Sequence, residues 1–302
     1  MDKLESTPFR SLVAVLVHGA DTRKFMQGQL SSDVRTLSRT RALLGSYSSV
    51  QGRVQAVLTL VEREEGLMAL LPAPTSERVV ARLRASVLGS KLSLETLGWS
   101  LRSASRVVAS AAPAGSLSTP GSCAELEDGS TLLRWWSAEE RYLSITRATT
   151  CDPAESCVQP AHDAEDQAFR RANIHAGLPQ VYLETQASFI PQMLNLDLLG
   201  GVSFDKGCYV GQEVVARARR GGVPRRMFGF AAACCAPAPG TPIVQAGQEV
   251  GLVVDAVDVG MGCLLLAVVE VEQAAGTLAL AGESQSLLTP APLPYAVPTT
   301  RK

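Results

Sequence analysis

Apolar and polar positions divide the chain into short strand-like runs and a few helical stripes. Leu12 to Val17 is short, apolar and valine-rich, as a buried strand requires. The turn Gly19-Ala20-Asp21 follows, and Asp21 or Thr22 can cap a helix reaching about Leu30, with Phe25, Met26 and Leu30 on its apolar side. From Ala42 to Leu97 the pattern predicts strand, strand, strand, helix, strand. Leu44 to Val50 and Val54 to Glu62 flank the Gln51-Gly52 turn, and Leu67 to Leu71 follows Gly66. Ser76 to Leu88 carries Val79, Val80, Leu83 and Val87 on one side, and Leu92 to Leu97 closes the unit. That order predicts a small α+β sandwich, one helical layer over a sheet.

Beyond it, Ala111 to Asp128 is rich in Ala, Ser, Gly and Pro and reads as an exposed loop. Thr131 to Trp136 and Tyr142 to Thr146 predict a hairpin around Ala138-Glu139-Glu140. Asp163 opens a helix that ends at Ala176-Gly177. Asp163, Glu165 and Asp166 favour its first turn, an Asp166–Arg170 pair is expected one turn on, and Gly177 is the expected left-handed stop. After Pro224 short apolar runs (Val250 to Val254, Cys263 to Val271, Thr277 to Leu280) alternate with Gly and Pro, which predicts a small all-β barrel or sandwich.

Composition narrows the classes. At 302 residues the chain exceeds one ordinary core, so two or three domains are expected. With 46% apolar and 19% charged residues it can bury those cores. A net charge of −1 supplies no overall field to gather nucleic acid, so direct nucleic-acid binding is not expected and would need a local basic patch. Seven scattered cysteines without a C-x-x-C pair, and three histidines, fit reduced thiols and give no metal-ligand spacing. No basic leader opens the chain and no apolar run is long enough for a membrane, so a cytoplasmic protein is expected.

The most informative stretch is Lys206-Gly207-Cys208-Tyr209-Val210-Gly211-Gln212-Glu213, a polar loop between apolar segments. Two glycines allow a sharp turn or a close approach to a bound group. With Pro191-Gln192-Met193-Leu194-Asn195-Leu196 and Gly201 to Arg217, this run resembles the signature of YgfZ-type folate-binding proteins, paralogues of the glycine cleavage aminomethyltransferase (T-protein). His18 to Leu30 with Asp33-Val34, and Arg171 to Pro179, resemble it too, so the likeness covers roughly residues 12 to 230. The resemblance implies an α+β fold, a T-protein-like ring of small α/β sandwich domains with a C-terminal β-barrel. Residues 1–41 and 105–224 would form a discontinuous folate-binding domain, 42–104 an inserted ferredoxin-like domain, and 225–302 the barrel. It further implies tetrahydrofolate, or a one-carbon derivative, as cofactor and iron–sulfur proteins as clients, some of them tRNA-modifying.

The residues offer matching chemistry. A pterin edge wants a carboxylate accepting two parallel hydrogen bonds, and Glu184, five residues after Pro179 and seven before Pro191, stands where T-proteins carry that acid. The folate tail wants guanidinium forks, and Arg217, Arg219, Arg220, Arg225 and Arg226 cluster around Gly221-Gly222; one or two, with Arg217 the candidate, are expected at the tail or an acidic partner and the rest on a solvated face, a tRNA patch being the lesser alternative. Cys208 is open to three readings: a thiolate nucleophile, a transient iron or persulfide carrier, or a small packed residue. Lys206 would raise its thiolate fraction, while one cysteine cannot hold a cluster. Tyr209 and Gln212 are expected in the same pocket, and the resemblance adds Gln29.

One departure bears on catalysis. Aminomethyltransferases carry an acid just after this glycine turn, whereas Gly52-Arg53-Val54-Gln55-Ala56-Val57 has none. A glutamine cannot exchange a proton at neutral pH. The expectation is therefore a folate-binding accessory protein for iron–sulfur assembly or repair, the alternative an aminomethyl-type one-carbon transferase.

Overall fold

The computed structural model describes residues 11–96, 99–104, 109–137, 140–147, 164–282 and 286–300. The hairpin tip at 138–139, the Asp163 cap, Cys151 and Cys157 lie outside them.

Three antiparallel sheets carry the chain. The first has the order β2-β3-β4-β1-β5, from β1 (Leu12–His18), β2 (Leu43–Ser48), β3 (Val54–Glu62), β4 (Leu67–Pro72) and β5 (Ser93–Glu95). β1 pairs β4 along its length, Leu12 opposite Pro72 and Val17 opposite Leu67, and β5 on its other edge. This strand therefore joins the 43–95 strands across the division expected at residue 42. Side chains alternate between faces in a strand. Leu12, Ala14 and Leu16 enter one core and Val15 and Val17 another, which explains the unbroken apolar run. The second core is closed by α1 (Thr22–Gln29) and α2 (Ala73–Ala85), whose Phe25, Met26, Val79, Val80 and Leu83 are buried.

A second sheet, β6-β9-β8-β7, joins β6 (Trp99–Ala104), β7 (Cys123–Glu125), β8 (Thr131–Arg134) and β9 (Tyr142–Arg147). The stretch expected as loop thus holds a short strand at Cys123, whose thiol is fully buried and pushed up to about 12 by desolvation. α3 (Ala164–His175) ends where expected, with Gly177 at φ 63°.

The third sheet has the order β14-β11-β12-β13-β10-β15. Its middle strands β12 (Gln248–Val259) and β13 (Gly262–Glu270) are long, and β10 (Arg225–Ala232) and β11 (Pro242–Gln245) flank them. The edges β14 (Ala279–Leu280) and β15 (Thr289–Ala291) are short and do not pair with each other. Here the expectation is corrected: the C-terminal unit is a half-barrel, open between its edges, and not a closed barrel.

A buried ion pair fastens this half-barrel to the rest. Asp255 of β12 has no exposed surface, and its Oδ1 accepts from Arg170 Nε of α3 at 2.5 Å and from Tyr182 Oη at 3.1 Å. Burial pushes the Asp255 carboxyl above its ordinary range, while the Arg170 guanidinium opposes that rise. The Asp166–Arg170 pair expected along the helix does not form: Asp166 accepts from Ser11 N and Oγ instead. Removing one partner of a buried pair costs about 3–5 kcal/mol. Arg170→Met is therefore expected to lower urea-unfolding stability by about that amount, whereas Arg171→Met, outside the network, should cost under about 1 kcal/mol. Equal losses would remove this pair as the fastening.

Candidate functional site

The segment expected to be functional is laid across the N-terminal elements by hydrogen bonds spanning more than 150 residues. Ser203 N donates to Ser31 O, Ser31 Oγ to Gly201 O, and Val210 N to Gly28 O. Lys206 supplies the strongest tie. Its ammonium is buried and donates at 2.7 Å to each of three carbonyls, Gln27 O, Leu30 O and Ser32 O. The carbonyls that close a helix have no partners of their own and carry partial negative charge. Lys206 meets that need at the end of α1 from a distant part of the chain, with the Tyr209 ring 4.9 Å away. All three N–H donors are thus committed inside the fold, which leaves none for the role expected beside Cys208.

Two glycines complete the docking. Gly211 (φ 83°) and Gly52 (φ 69°) are both left-handed and abut backbone to backbone. A Cβ on Gly211 would stand 2.7 Å from Ser49 O and 2.8 Å from Gly52 Cα; one on Gly52 would stand 2.7 Å from Val214 Cβ. Gly211 also leads into α4 (Gln212–Gly221), a helix with Val215 buried that the sequence reading missed. The Gln212 side chain accepts from Tyr209 N and shapes this entry, so it acts on the loop's own backbone. Tyr209 is buried, its hydroxyl pushed up to about 12 by desolvation. Cys208 is exposed and free.

Against this docked loop lies an open cleft of about 810 Å³. Its wall includes Gln29 from the end of α1, Ser48 to Gln51 from the β2–β3 turn, Gln55, Arg82 from α2, Ala187 and Val210. Val210 is two residues past Cys208, and Ala187 three past Glu184. Gln55, at the position without an acid, is buried; its amide donates to Arg53 O and its Oε1 accepts from Arg82 Nη1. Glu184 itself is exposed, in the 183–188 turn, with Gly240 of the half-barrel beside its backbone. It makes no hydrogen bond or ion pair with the described residues.

The arginine cluster separates by environment. Arg226 is buried, forked onto Asp197, and donates to Gln192 O; Arg225 pairs with Glu270; Arg219 stacks 4.2 Å over Phe204. Arg217 and Arg220 are exposed. The 190s segment is similarly structural, since Gln192 Nε2 donates to Val215 O and Asn195 Nδ2 to Met227 O. Of the residues expected to bind the cofactor, Gln29 lines the cleft, whereas Arg217 and Glu184 are not among its lining residues. Arg53 and Arg82 were not foreseen there: Arg82 belongs to a helix 27 residues beyond Gln55, and no local pattern links them.

Among the described residues no three His, Cys, Asp or Glu side chains gather into a metal-sized group, and no helix is long and apolar enough to cross a membrane.

Lys206→Met keeps the bulk but strands three carbonyls, each costing about 1–3 kcal/mol when buried and unpaired. The variant is expected to lose at least about 3 kcal/mol of stability by chemical denaturation at pH 7. Burial pulls the Lys206 ammonium from its ordinary 10.5 down to about 8. The unfolded chain then holds this proton more tightly, so the wild-type advantage over Lys206→Met should grow as pH rises from about 8 to 10.5. A gap that shrinks over that window would contradict the assignment.

No family model matches the chain. It is 29% identical over 304 residues to the "tRNA-modifying protein YgfZ" of Enterobacter sp. (strain 638), covering 93% of this chain and 90% of that protein. It is 28% identical over 247 residues to the protein of the same name from Escherichia coli O7:K1, covering 78% and 72%. Among solved structures it is similar to the glycine cleavage system aminomethyltransferase T from Bartonella henselae, with a TM-score of 0.74 at 16% identity over 95% of this chain and 84% of that one. By sequence the chain is similar to the YgfZ-named proteins, and it shares the fold of a glycine cleavage aminomethyltransferase.

Proposed function

We propose that this protein binds a reduced folate in the cleft beside the 206–213 loop and acts as an accessory factor for iron–sulfur enzymes, including tRNA-modifying ones. The carrying observation is the meeting of Gln29, Val210 and Ala187 around one cleft of about 810 Å³, within the usual range for small-molecule sites. The donors fit the ligand: side-chain amides and hydroxyls for a heterocycle, guanidinium groups for an anionic end, and a nearby carboxylate free to accept paired N–H groups at Glu184. When bound, the folate supplies a nitrogen able to carry a one-carbon unit.

The chain's own residues divide the work. Glu184 grips the pterin edge from a turn that lies beside Gly240 of the half-barrel. Gln55, held by Arg82 and Arg53 O, orients the ligand without moving a proton. That glutamine is what disfavours an aminomethyl transferase, although the fold is shared. Cys208, exposed on a loop whose base is immobilised by Lys206 and Gly211, presents its thiol to a client. The name of the curated relatives is the support for clients that modify tRNA.

Loss of a carboxylate that accepts two hydrogen bonds should cost about 3 kcal/mol, roughly a hundredfold in Kd. Calorimetric titration with tetrahydrofolate is therefore expected to show that loss in Glu184→Ala; unchanged affinity would remove Glu184 from the pterin. In a strain lacking the protein, Cys208→Ala is expected to leave the activity of an iron–sulfur tRNA-modifying enzyme at the deletion level. Full restoration would take the thiol out of the mechanism.

A further inference from the structure

The cleft's charge is one-sided. Arg53 and Arg82 both line it, and no aspartate or glutamate does. Neither guanidinium has an ion-pair partner among the described residues. Each touches only a neutral oxygen: Arg53 Nη1 donates to Ser188 O at 2.8 Å, and Arg82 Nη1 donates to Gln55 Oε1. A guanidinium carries five N–H donors in a planar fork, so most of them on both residues remain open to a ligand. The two contacts also fix where the forks sit. Arg53 is tied to the turn that carries Glu184, and Arg82 to the buried Gln55, whose own amide is tied back to Arg53 O. The result is a pair of cations, one from the turn ahead of β3 and one from α2, in a cleft with no acid among its described lining residues.

The arginines of the 217–226 segment contrast with this pair. Arg225 and Arg226 are neutralised by Glu270 and Asp197, Arg219 lies over an aromatic ring, and none of the five lines the cleft.

We infer that Arg53 and Arg82 form a carboxylate-binding wall that takes the glutamyl tail of the folate, in place of the Arg217 cluster. The inference rests on the folate reading and adds a specificity to it: tail-bearing folates are held, and bare pteridines are not. A guanidinium fork matches a carboxylate bidentately, and a folate tail offers two carboxylates. Because the cleft is open, the pair remains partly solvated, and its attraction should weaken with salt.

Calorimetric titration of the full chain with tetrahydrofolate and with tetrahydropterin, which lacks the benzoylglutamate, tests this. Wild type is expected to bind tetrahydrofolate at least tenfold tighter than tetrahydropterin, and the gap should narrow between 50 and 500 mM salt. In Arg53→Gln/Arg82→Gln that gap, read as the ratio of the two affinities within the same variant, should close; Arg82→Gln alone, which leaves the Arg53–Ser188 tie intact, should close part of it if the double variant does not fold. Free p-aminobenzoylglutamate should compete in wild type and not in the variant. A gap that survives both variants would overturn the wall while leaving folate binding in place. Wild type that binds neither compound would overturn the folate reading itself.

Discussion

One ammonium group decides where the thiol loop lies. The Lys206 ammonium sits among Gln27 O and Leu30 O at the end of α1 and Ser32 O just beyond it, where a helix terminus would otherwise leave oxygens buried without donors. Among the described residues no other cation reaches those three oxygens, and the residue that does belongs to the far side of the sequence. The loop is therefore as firmly placed as the helix. Gly211 and Gly52 finish the work by permitting a backbone contact that any Cβ would block. From these two contacts follow the closeness of Val210 to the cleft, the start of α4, and an exposed Cys208 on an immobile base.

A loop tethered through Lys206, Tyr209 and Gln212 gives a different meaning to its polar residues. Three of the side chains that look ligand-facing in the sequence act on the protein's own backbone or core. The chemistry left to face outward is the Cys208 thiol and the Glu213 carboxylate. On the other wall, the place where a transferase would hold an acid contains a glutamine braced by arginine, which exchanges proton transfer for hydrogen bonding and positive charge. Under the proposed function, these two walls would hold an anionic ligand in the cleft, with Cys208 two residues from the lining Val210.

Much of the architecture could be read from local pattern. The β3 limits agree with Val54 to Glu62, and the valine-rich runs at Leu12, Val250 and Cys263 are strands because burial on one or both faces leaves no polar side to expose. What escaped depends on partners remote in sequence. α4 holds one fully buried side chain, so its apolar stripe is too thin to announce a helix. The half-barrel edges are too short to signal whether the sheet closes. Asp255 lies within a valine-rich strand, and only the arrival of Arg170 and Tyr182 from other elements explains a buried acid there. In the site, the motif marks a loop whose Val210 lines the cleft. The identity of its anchors did not follow, since a lysine two residues from a cysteine looks the same whether it faces the thiol or a helix end 170 or more residues away.

The central claim is that a reduced folate occupies the cleft between the β2–β3 turn and the 206–213 loop. A crystal structure of the complex with tetrahydrofolate tests it most directly. The account predicts the pteridine edge on the Glu184 carboxylate, the ring system beside Gln55 and Val210, and Cys208 open to solvent at the rim. A ligand bound elsewhere, with Glu184 in bulk water and the cleft filled only by solvent, would contradict it.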